Sequence, residues 1–223
     1  MKSERNMEIK RLYGIENSRK ATGVTVIVDV LRAATVSAYI LAGGAKYIIP
    51  VSTKEEAFLL KRENPHYLLV GEEGGYKIKG FNYGNSPSEI SKVDLRNRII
   101  IQRSSQGIQG LLNAILAEEV IFGSFVIASS IKDYIKNLSS ISIVAMNGTE
   151  SEDDIFADYL EKIITLQEVN MEELMKDLKT CPAAQKFFDP SLPEFPEKDF
   201  YLSLEVNKFN FLVVFIEGKV IKK

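Results

Sequence analysis

The sequence predicts an α/β fold: a three-layer αβα domain with a mainly parallel sheet and additional antiparallel strands towards the C-terminal end. Three observations carry this. Short β-branched runs alternate with helical segments at least five times between residues 24 and 166. The first run, Val24-Thr-Val-Ile-Val-Asp-Val30, has no polar alternation, as expected of a strand buried on both faces of a parallel sheet. Beyond residue 180 the pattern gives way to a proline-rich connector and short apolar runs, the last two joined by a turn at Glu217-Gly218-Lys219.

Taken in order, Met7–Leu12 reads as an edge strand within a polar, mixed opening that extends to residue 23. Residues 24–30 form a strand, and Ala33–Ala42 a helix stopped by Gly43-Gly44. Lys46–Pro50 is the next strand. Thr53 then caps a helix that opens Lys54-Glu-Glu-Ala and ends near Asn64-Pro65. Tyr67–Val70 is a third strand, running into Gly71-Glu-Glu-Gly-Gly. Residues 71–91 are rich in Gly, Asn, Ser and Pro, and a connection this long inside a compact domain is often functional.

Arg98–Gln102 is a strand, followed by Arg103-Ser-Ser-Gln-Gly and a helix through Leu116. Val120–Phe122 is a strand, Ala128–Leu138 a helix, and Ile141–Met146 a strand closed by Asn147-Gly-Thr-Glu-Ser-Glu-Asp-Asp and a helix to about Leu166. Helical segments at Met171–Leu178 and Ala183–Phe188 precede Asp189-Pro-Ser-Leu-Pro-Glu-Phe-Pro. Tyr201–Val206, Phe211–Ile216 and Val220-Ile221 then read as antiparallel strands that join the main sheet or form a small subdomain. The expected division is an α/β core over 1–180 with 181–223 packed on it or extending it, or a single domain over 1–223.

Composition narrows the function classes. The chain has 223 residues, 45% hydrophobic and 26% charged, enough for a real core. A net charge of -2 gives no basic surface for nucleic acid. No apolar run approaches the ~20 residues that span a membrane, and the opening MKSERNMEIKRLYG lacks the apolar middle of a secretory signal. The single cysteine, Cys181, cannot form an intrachain disulfide, which fits a reducing cytoplasm. The single histidine, His66, sits in an Asn-Pro-His turn, so oxygen ligands would dominate any metal site and favour Mg²⁺, Mn²⁺ or Ca²⁺ over zinc.

Candidate chemistry gathers where strands end, the side on which open α/β sheets bind ligands. Asp29 closes a buried strand and Arg32 opens the following helix. A carboxylate there is costly unless a cation or several donors meet it. The competing reading is a structural Asp–Arg pair or a helix cap. Glu72 and Glu73 stand on a glycine loop after another strand and can offer oxygen to a hard cation. Gln102-Arg103-Ser104-Ser105-Gln106-Gly107 is a strand, a small polar loop and a helix start, an arrangement suited to phosphate, although it matches neither standard nucleotide glycine fingerprint. Glu150, Glu152, Asp153 and Asp154 surround another helix start, where the helix dipole alone would account for them. Carboxylates, arginine and a hydroxyl-rich helix start together suit a metal ion clamped onto a phosphate ester.

The stretches Asp29-Val-Leu-Arg32-Ala-Ala-Thr35, Gly71-Glu72 and Gly80-Phe-Asn-Tyr-Gly-Asn85-Ser86-Pro87 resemble the 2-phosphosulfolactate phosphatase family. So do Arg103-Ser-Ser-Gln-Gly107, Glu152-Asp153-Asp154 and Val206-Asn-Lys-Phe-Asn-Phe211, and the likeness covers nearly the whole chain. The resemblance implies Mg²⁺-dependent hydrolysis of 2-phospho-3-sulfolactate to 3-sulfolactate and phosphate, a step of coenzyme M biosynthesis. On that reading Asp29, Glu72, Glu152 and Asp153 are the candidate metal ligands, with Asp29 serving metal binding or in-line attack and Glu72 and Asp153 serving metal binding or water activation. Arg32, Arg103, Ser104, Ser105 and the Gly107 N–H hold the phosphate, while Asn85 and Ser86 shape the loop around the substrate.

An aspartyl-phosphate route and attack by metal-activated water are both compatible with these residues. This sequence departs from the family pattern at Glu73, where the family has arginine, at Asn82, where it has aspartate, and at Ser105-Gln106-Gly107 in place of Asn-Gly-Thr. An acid at 73 is expected to repel a doubly anionic ester and so to shift the substrate towards another small acidic phosphate ester, with Arg32, Arg103 and Lys77 restoring positive charge. The expected partner is that small ester, with no nucleic acid and no membrane. The alternative is a module that binds a phosphorylated metabolite without turnover. The apolar C-terminal strands would pair with a second subunit in a homodimer or cover a sheet edge.

Overall fold

In a computed structural model, residues 7–223 are described; the first part of the polar opening, residues 1–6, lies outside them. Strand β1 (Glu8–Tyr13) is followed by a short helix, α1 (Gly14–Ser18), and by β2 (Gly23–Val28) and α2 (Ala33–Ala42). Next come β3 (Tyr47–Pro50), α3 (Lys54–Glu63), β4 (Leu68–Glu73) and β5 (Tyr76–Lys77). Thr53 caps α3, its hydroxyl accepting the Glu56 N–H at 3.1 Å, as the sequence predicts. The long polar stretch thus opens with the β4–β5 pairing and then holds α4 (Pro87–Ile90) before β6 (Ile99–Arg103) and α5 (Gly107–Asn113). The chain continues through β7 (Ala117–Gly123), a 3₁₀ turn at Phe125–Ile127, α6 (Ala128–Ile135), β8 (Ser140–Ala145) and α7 (Glu152–Ile164). It ends with α8 (Met171–Thr180), α9 (Pro182–Gln185), a 3₁₀ turn at Lys186–Phe188, α10 (Glu197–Ser203), β9 (Val213–Ile216) and β10 (Lys219–Lys222).

The strands form one sheet in the order β1-β8-β2-β7-β9-β10-β3-β6-β4-β5. Two parallel blocks, β1-β8-β2-β7 and β3-β6-β4, are bridged by the antiparallel β9–β10 hairpin. Met7–Leu12 is thus an edge strand as predicted, and the sheet is mainly parallel. Consecutive residues Val26, Ile27 and Val28 are all fully buried. Because successive side chains point to opposite faces, helices must cover both faces of β2.

Two sequence expectations are corrected. Tyr201–Val206 is not a strand: Tyr201 to Ser203 complete α10, whose Phe200 and Ser203 face inward at helical spacing. The helix after Gly107 stops at Asn113 rather than Leu116, and β7 begins at Ala117, three residues before the predicted start. The C-terminal hairpin occupies the middle of the sheet, pairing Val120 and Ile121 on one side and Ile48 on the other.

Helix α2 is the hub. Nine of its ten residues are buried, and small side chains at Ala33, Ala34, Ser37 and Ala38 let neighbours approach closely. It packs against β7, β9, β10, α4 and α5. Its Ser37 hydroxyl donates to Gln102 Oε1 at 2.7 Å, while Gln102 Nε2 returns a bond to Ala33 O. Five strand spacings separate β2 from β6, about 24 Å in a flat sheet, yet Asp29 and Gly107 are in direct contact. The sheet therefore curls around α2, and the carboxyl ends of both parallel blocks turn towards each other.

Because the hairpin bridges the two blocks, a chain ending at residue 210 is expected to lose cooperative thermal unfolding. A sharp transition near that of the full chain, followed by circular dichroism, would contradict the bridging role.

Candidate active site

Asp29 follows β2 and is buried, with both carboxylate oxygens engaged. Oδ1 accepts the Ala33 N–H at the start of α2 at 2.8 Å, and Oδ2 accepts the Gly107 N–H at the start of α5 at 2.8 Å. The Gly107 amide assigned to phosphate is thus directed at a carboxylate. Glycine is needed there because a Cβ would stand 2.4 Å from Asp29 Oδ2 and 2.8 Å from the Phe122 ring. The Leu31–Arg32 peptide beside this carboxylate is cis.

Beneath Asp29, the fully buried Asp153 ties two strand ends together. Its Oδ1 accepts Val30 N–H at 2.7 Å and its Oδ2 accepts Asn147 N–H at 3.0 Å. Glu152, also fully buried, accepts from the Asn147 side chain at 2.7 Å through Oε1, while its Oε2 has no partner among the described residues. Asp154 turns outward to Arg11, so the register of this helix start directs Glu152 and Asp153 inward. Glu150, with positive φ, is exposed.

Glu72 ends β4 and is buried among donors. It accepts N–H bonds from Ser105 and Gly75, and the Ser105 hydroxyl donates to Oε2 at 3.1 Å. Arg103 donates to Glu72 O and to Ser105 Oγ, and reaches Glu73 at 3.6 Å. Ser104 is buried, and its hydroxyl accepts Ile108 N–H in the first turn of α5 at 2.9 Å. Glu73 is half exposed, pairs with Lys54 at 2.7 Å and does not line the cavity. Asn82 Oδ1 accepts Leu69 N–H at 2.8 Å, a local structural bond. Lys77 donates to Asn82 O and lines a neighbouring cavity of about 570 Å³.

Arg32 reaches across to the C-terminal segment. It donates to Asp199 Oδ2 at 2.8 Å, to Glu194 O at 3.0 Å and to Gly75 O at 3.1 Å, between the rings of Phe187 and Phe195. Asp199 Oδ1 in turn accepts from the Ser86 hydroxyl and the Ser88 N–H, both at 2.9 Å. Ser86 therefore anchors the loop, while the neighbouring Asn85 is buried at the cavity with its Oδ1 unpartnered.

These elements enclose a cavity of about 220 Å³. Asp29, Arg32, Glu72, Asn85 and Ser105 line it; Arg103, Ser104, Ser86, Gly107, Glu152 and Asp153 do not. Sequence reasoning missed eight cavity residues: Leu31, Gly74, Gly75, Gln106 and Asn147 on strand-end loops, and Ala183, Lys186 and Phe195 from the C-terminal segment. A signal existed for Gln106 and Asn147, which sit in loops already singled out. Lys186 sits in an ordinary amphipathic stretch, and only tertiary structure brings it here.

Burial pushes the Asp29 carboxyl up to about 6, with the Glu72 charge adding to the effect and the Ala33 and Gly107 amides opposing it. Glu152 is pushed up to about 7, chiefly by burial, against its bond from Asn147. Asp153 is raised well above the ordinary range by burial and then by the charges of Glu152 and Asp29. Lys186 is lowered by burial and by Arg32, against the pull of Glu152, Asp29 and Glu72.

Among the described residues no three His, Cys, Asp or Glu side chains form a closed metal cage. Mg²⁺ seldom needs one, since it usually takes one or two carboxylates with water and substrate oxygen. The cavity offers that donor set: two carboxylates, Asp29 and Glu72, and the unpartnered amide oxygen of Asn85. Of the four acids predicted as ligands, Asp29 and Glu72 face the cavity, and Glu152 and Asp153 lie behind it. No helix among the described residues is long and apolar enough to cross a membrane.

Comparison with known proteins gives one consistent result. Residues 11–214 match the family model described as 2-phosphosulpholactate phosphatase. A "Probable 2-phosphosulfolactate phosphatase" of Bacillus subtilis is 33% identical over 198 residues, 86% of this chain and 87% of the relative. Proteins with the same description from Carboxydothermus hydrogenoformans and Thermoplasma acidophilum are 40% identical over 166 residues and 31% identical over 202. The first of these alignments covers 72% of this chain and 69% of the relative, and the second covers 89% of each.

Two consequences of the site can be measured. Glu152 titrates higher in the folded chain than its ordinary 4.5, so its contribution to stability is full below that value and is lost as pH rises towards about 7. In EDTA, Glu152→Gln is therefore expected to gain stability relative to the parent chain between pH 4.5 and 7, by up to about 3 kcal/mol. A difference that stays flat with pH in urea titrations would refute this. Gly107→Ala is expected to destabilise by about 1–3 kcal/mol through the clash with Asp29 and Phe122; an unchanged urea midpoint would show that the contact yields.

Proposed function

The chain belongs to the 2-phosphosulfolactate phosphatase family, and from that premise we propose that it hydrolyses 2-phospho-3-sulfolactate to 3-sulfolactate and phosphate in a Mg²⁺-dependent reaction, as a cytoplasmic step of the coenzyme M biosynthetic type. The observation that carries this reading is the pairing of Asp29 and Glu72. They are carboxylates from strand ends of the two parallel blocks, facing one small cavity that also holds Arg32, Asn85 and Ser105.

Asp29, Glu72 and the amide oxygen of Asn85 would hold Mg²⁺. When bound, the ion would neutralise the phosphoryl oxygens and stabilise charge developing on the phosphorus centre. The remaining groups position the ester. Ser105 Oγ and the glycine loop at Gly74-Gly75 stand at the cavity wall, where the Ser105 hydroxyl and the Gly75 amide donate to Glu72 and so hold that carboxylate towards the ester. Arg32 is fixed by Asp199, so it presents charge from one orientation.

In hydrolysis a bond forms between a water oxygen and phosphorus while the ester P–O bond breaks, and the leaving alkoxide gains a proton as the water loses one. Both Asp29 oxygens already accept amide N–H groups, which weakens them as nucleophiles and favours attack by water. Glu72, whose oxygens likewise accept bonds from Ser105 and Gly75, is the second carboxylate at the cavity, and on this reading it holds the metal or accepts the water's proton. Glu73, exposed and paired with Lys54, lies outside the cavity, which supports retention of the family substrate despite that departure.

Phosphate release from racemic phosphosulfolactate, with and without Mg²⁺, is expected to be metal-dependent and to fall about 100-fold or more in Glu72→Gln. Release from other esters only would keep the chemistry and move the substrate. Ligand-induced thermal stabilisation without release from any ester would instead identify a binding module.

A further inference from the structure

Two cationic side chains line the cavity, Arg32 and Lys186, and they are differently committed. Arg32 is held by Asp199 and two backbone carbonyls. Lys186 forms neither an ion pair nor a hydrogen bond among the described residues, in contrast to Arg103 and Lys77, which are tied up outside the cavity. Its ammonium rests over the Phe195 ring at 4.7 Å and near the Phe187 ring at 5.6 Å. Phe195 and Ala183, from the same C-terminal segment, give this part of the cavity its apolar wall. A half-buried ammonium with three donors and no protein acceptor is suited to an anion arriving from solution.

Resting on the phosphatase reading above, we infer that Lys186 is the specificity residue of the site, binding an acidic group, sulfonate or carboxylate, that the substrate carries beside its phosphate. The strand-end oxygens and their hydroxyl and amide neighbours serve the phosphoryl group. The C-terminal segment, with an aromatic shelf and one uncommitted charge, serves the remainder of the molecule. This division gives the positive charge that the sequence lacks at position 73 a source in a different element. A phosphate monoester without a second acid leaves Lys186 unpaired and gains nothing from it.

The test compares Lys186→Gln and Lys186→Arg with the parent chain on phosphosulfolactate and on p-nitrophenyl phosphate, which has no second acid. In Lys186→Gln, kcat/KM is expected to fall about tenfold more for phosphosulfolactate than for p-nitrophenyl phosphate, chiefly through KM, with partial recovery in Lys186→Arg. Equal losses on both esters would assign Lys186 to the phosphoryl group, and no loss on either would leave it a charge-balancing residue; both overturn the inference. Calorimetric binding of 3-sulfolactate to the same variants reads Lys186 without turnover. A parent chain that hydrolyses neither ester but loses sulfolactate affinity in Lys186→Gln would sink the phosphatase reading and keep this one. Unchanged affinity in that chain would sink both.

Discussion

The carboxylate of Asp29 is bonded at one oxygen to the first turn of α2 and at the other to the first turn of α5. Those helices follow β2 and β6, strands of different parallel blocks. A buried carboxylate deprived of water must find donors, and here each donor is the first amide of a helix. The sheet can close around α2 only if both helix starts come within reach of this one side chain. The same demand makes Gly107 a glycine and drives its neighbours Ser105 and Gln106 to the cavity wall. Fold and site share a single contact, so neither can drift without the other.

A second layer of order comes from the end of the chain. Asp199, fully buried, accepts from Arg32, Ser86 and the Ser88 amide, joining the start of α2, the Asn85-Ser86 loop and α10. Buried ion pairs contribute little net stability once desolvation is counted, but removing one partner is expensive. The network is better understood as a register device: it fixes Arg32 in one orientation and holds Phe195 over Gly75, where a Cβ would meet the ring at 2.7 Å. That close approach seats the C-terminal segment on the cavity.

Much of the architecture was legible in the sequence because strands buried on both faces leave continuous apolar runs, and β2 is the clearest case. Asp29 and Glu72 were legible as candidates for a related reason: a carboxylate at the end of such a run must find donors or a cation, although a helix cap also accounts for Asp29. The fate of Arg32 and Gly107 was not. Their partners, Asp199 and Asp29, are 167 and 78 residues away, and no local pattern announces a pairing at that distance. Tyr201–Val206 misled for a different reason. Its aromatic and aliphatic residues satisfy a strand's preferences, but packing of Tyr201 against Phe188 and burial of Phe200 and Ser203 on one face keep the first three in a helix.

The charge balance of the site gives the departures from the family pattern their meaning. A cavity walled by Asp29 and Glu72, with Glu152 and Asp153 behind, is electrostatically hostile to a phosphate ester. Mutual repulsion adds to burial in raising Asp29 and Asp153. Arg32 at this cavity is already matched by Asp199, so on the proposed reading further cationic charge would help to admit a polyanion. A divalent ion would relieve the carboxylates and meet the phosphoryl oxygens, leaving Lys186 for whatever further charge the substrate bears. Glu73 is neutralised by Lys54 and Arg103 outside the cavity and takes no part in that balance. The acid that looks most damaging in the sequence therefore lies outside the cavity, paired with cations of its own.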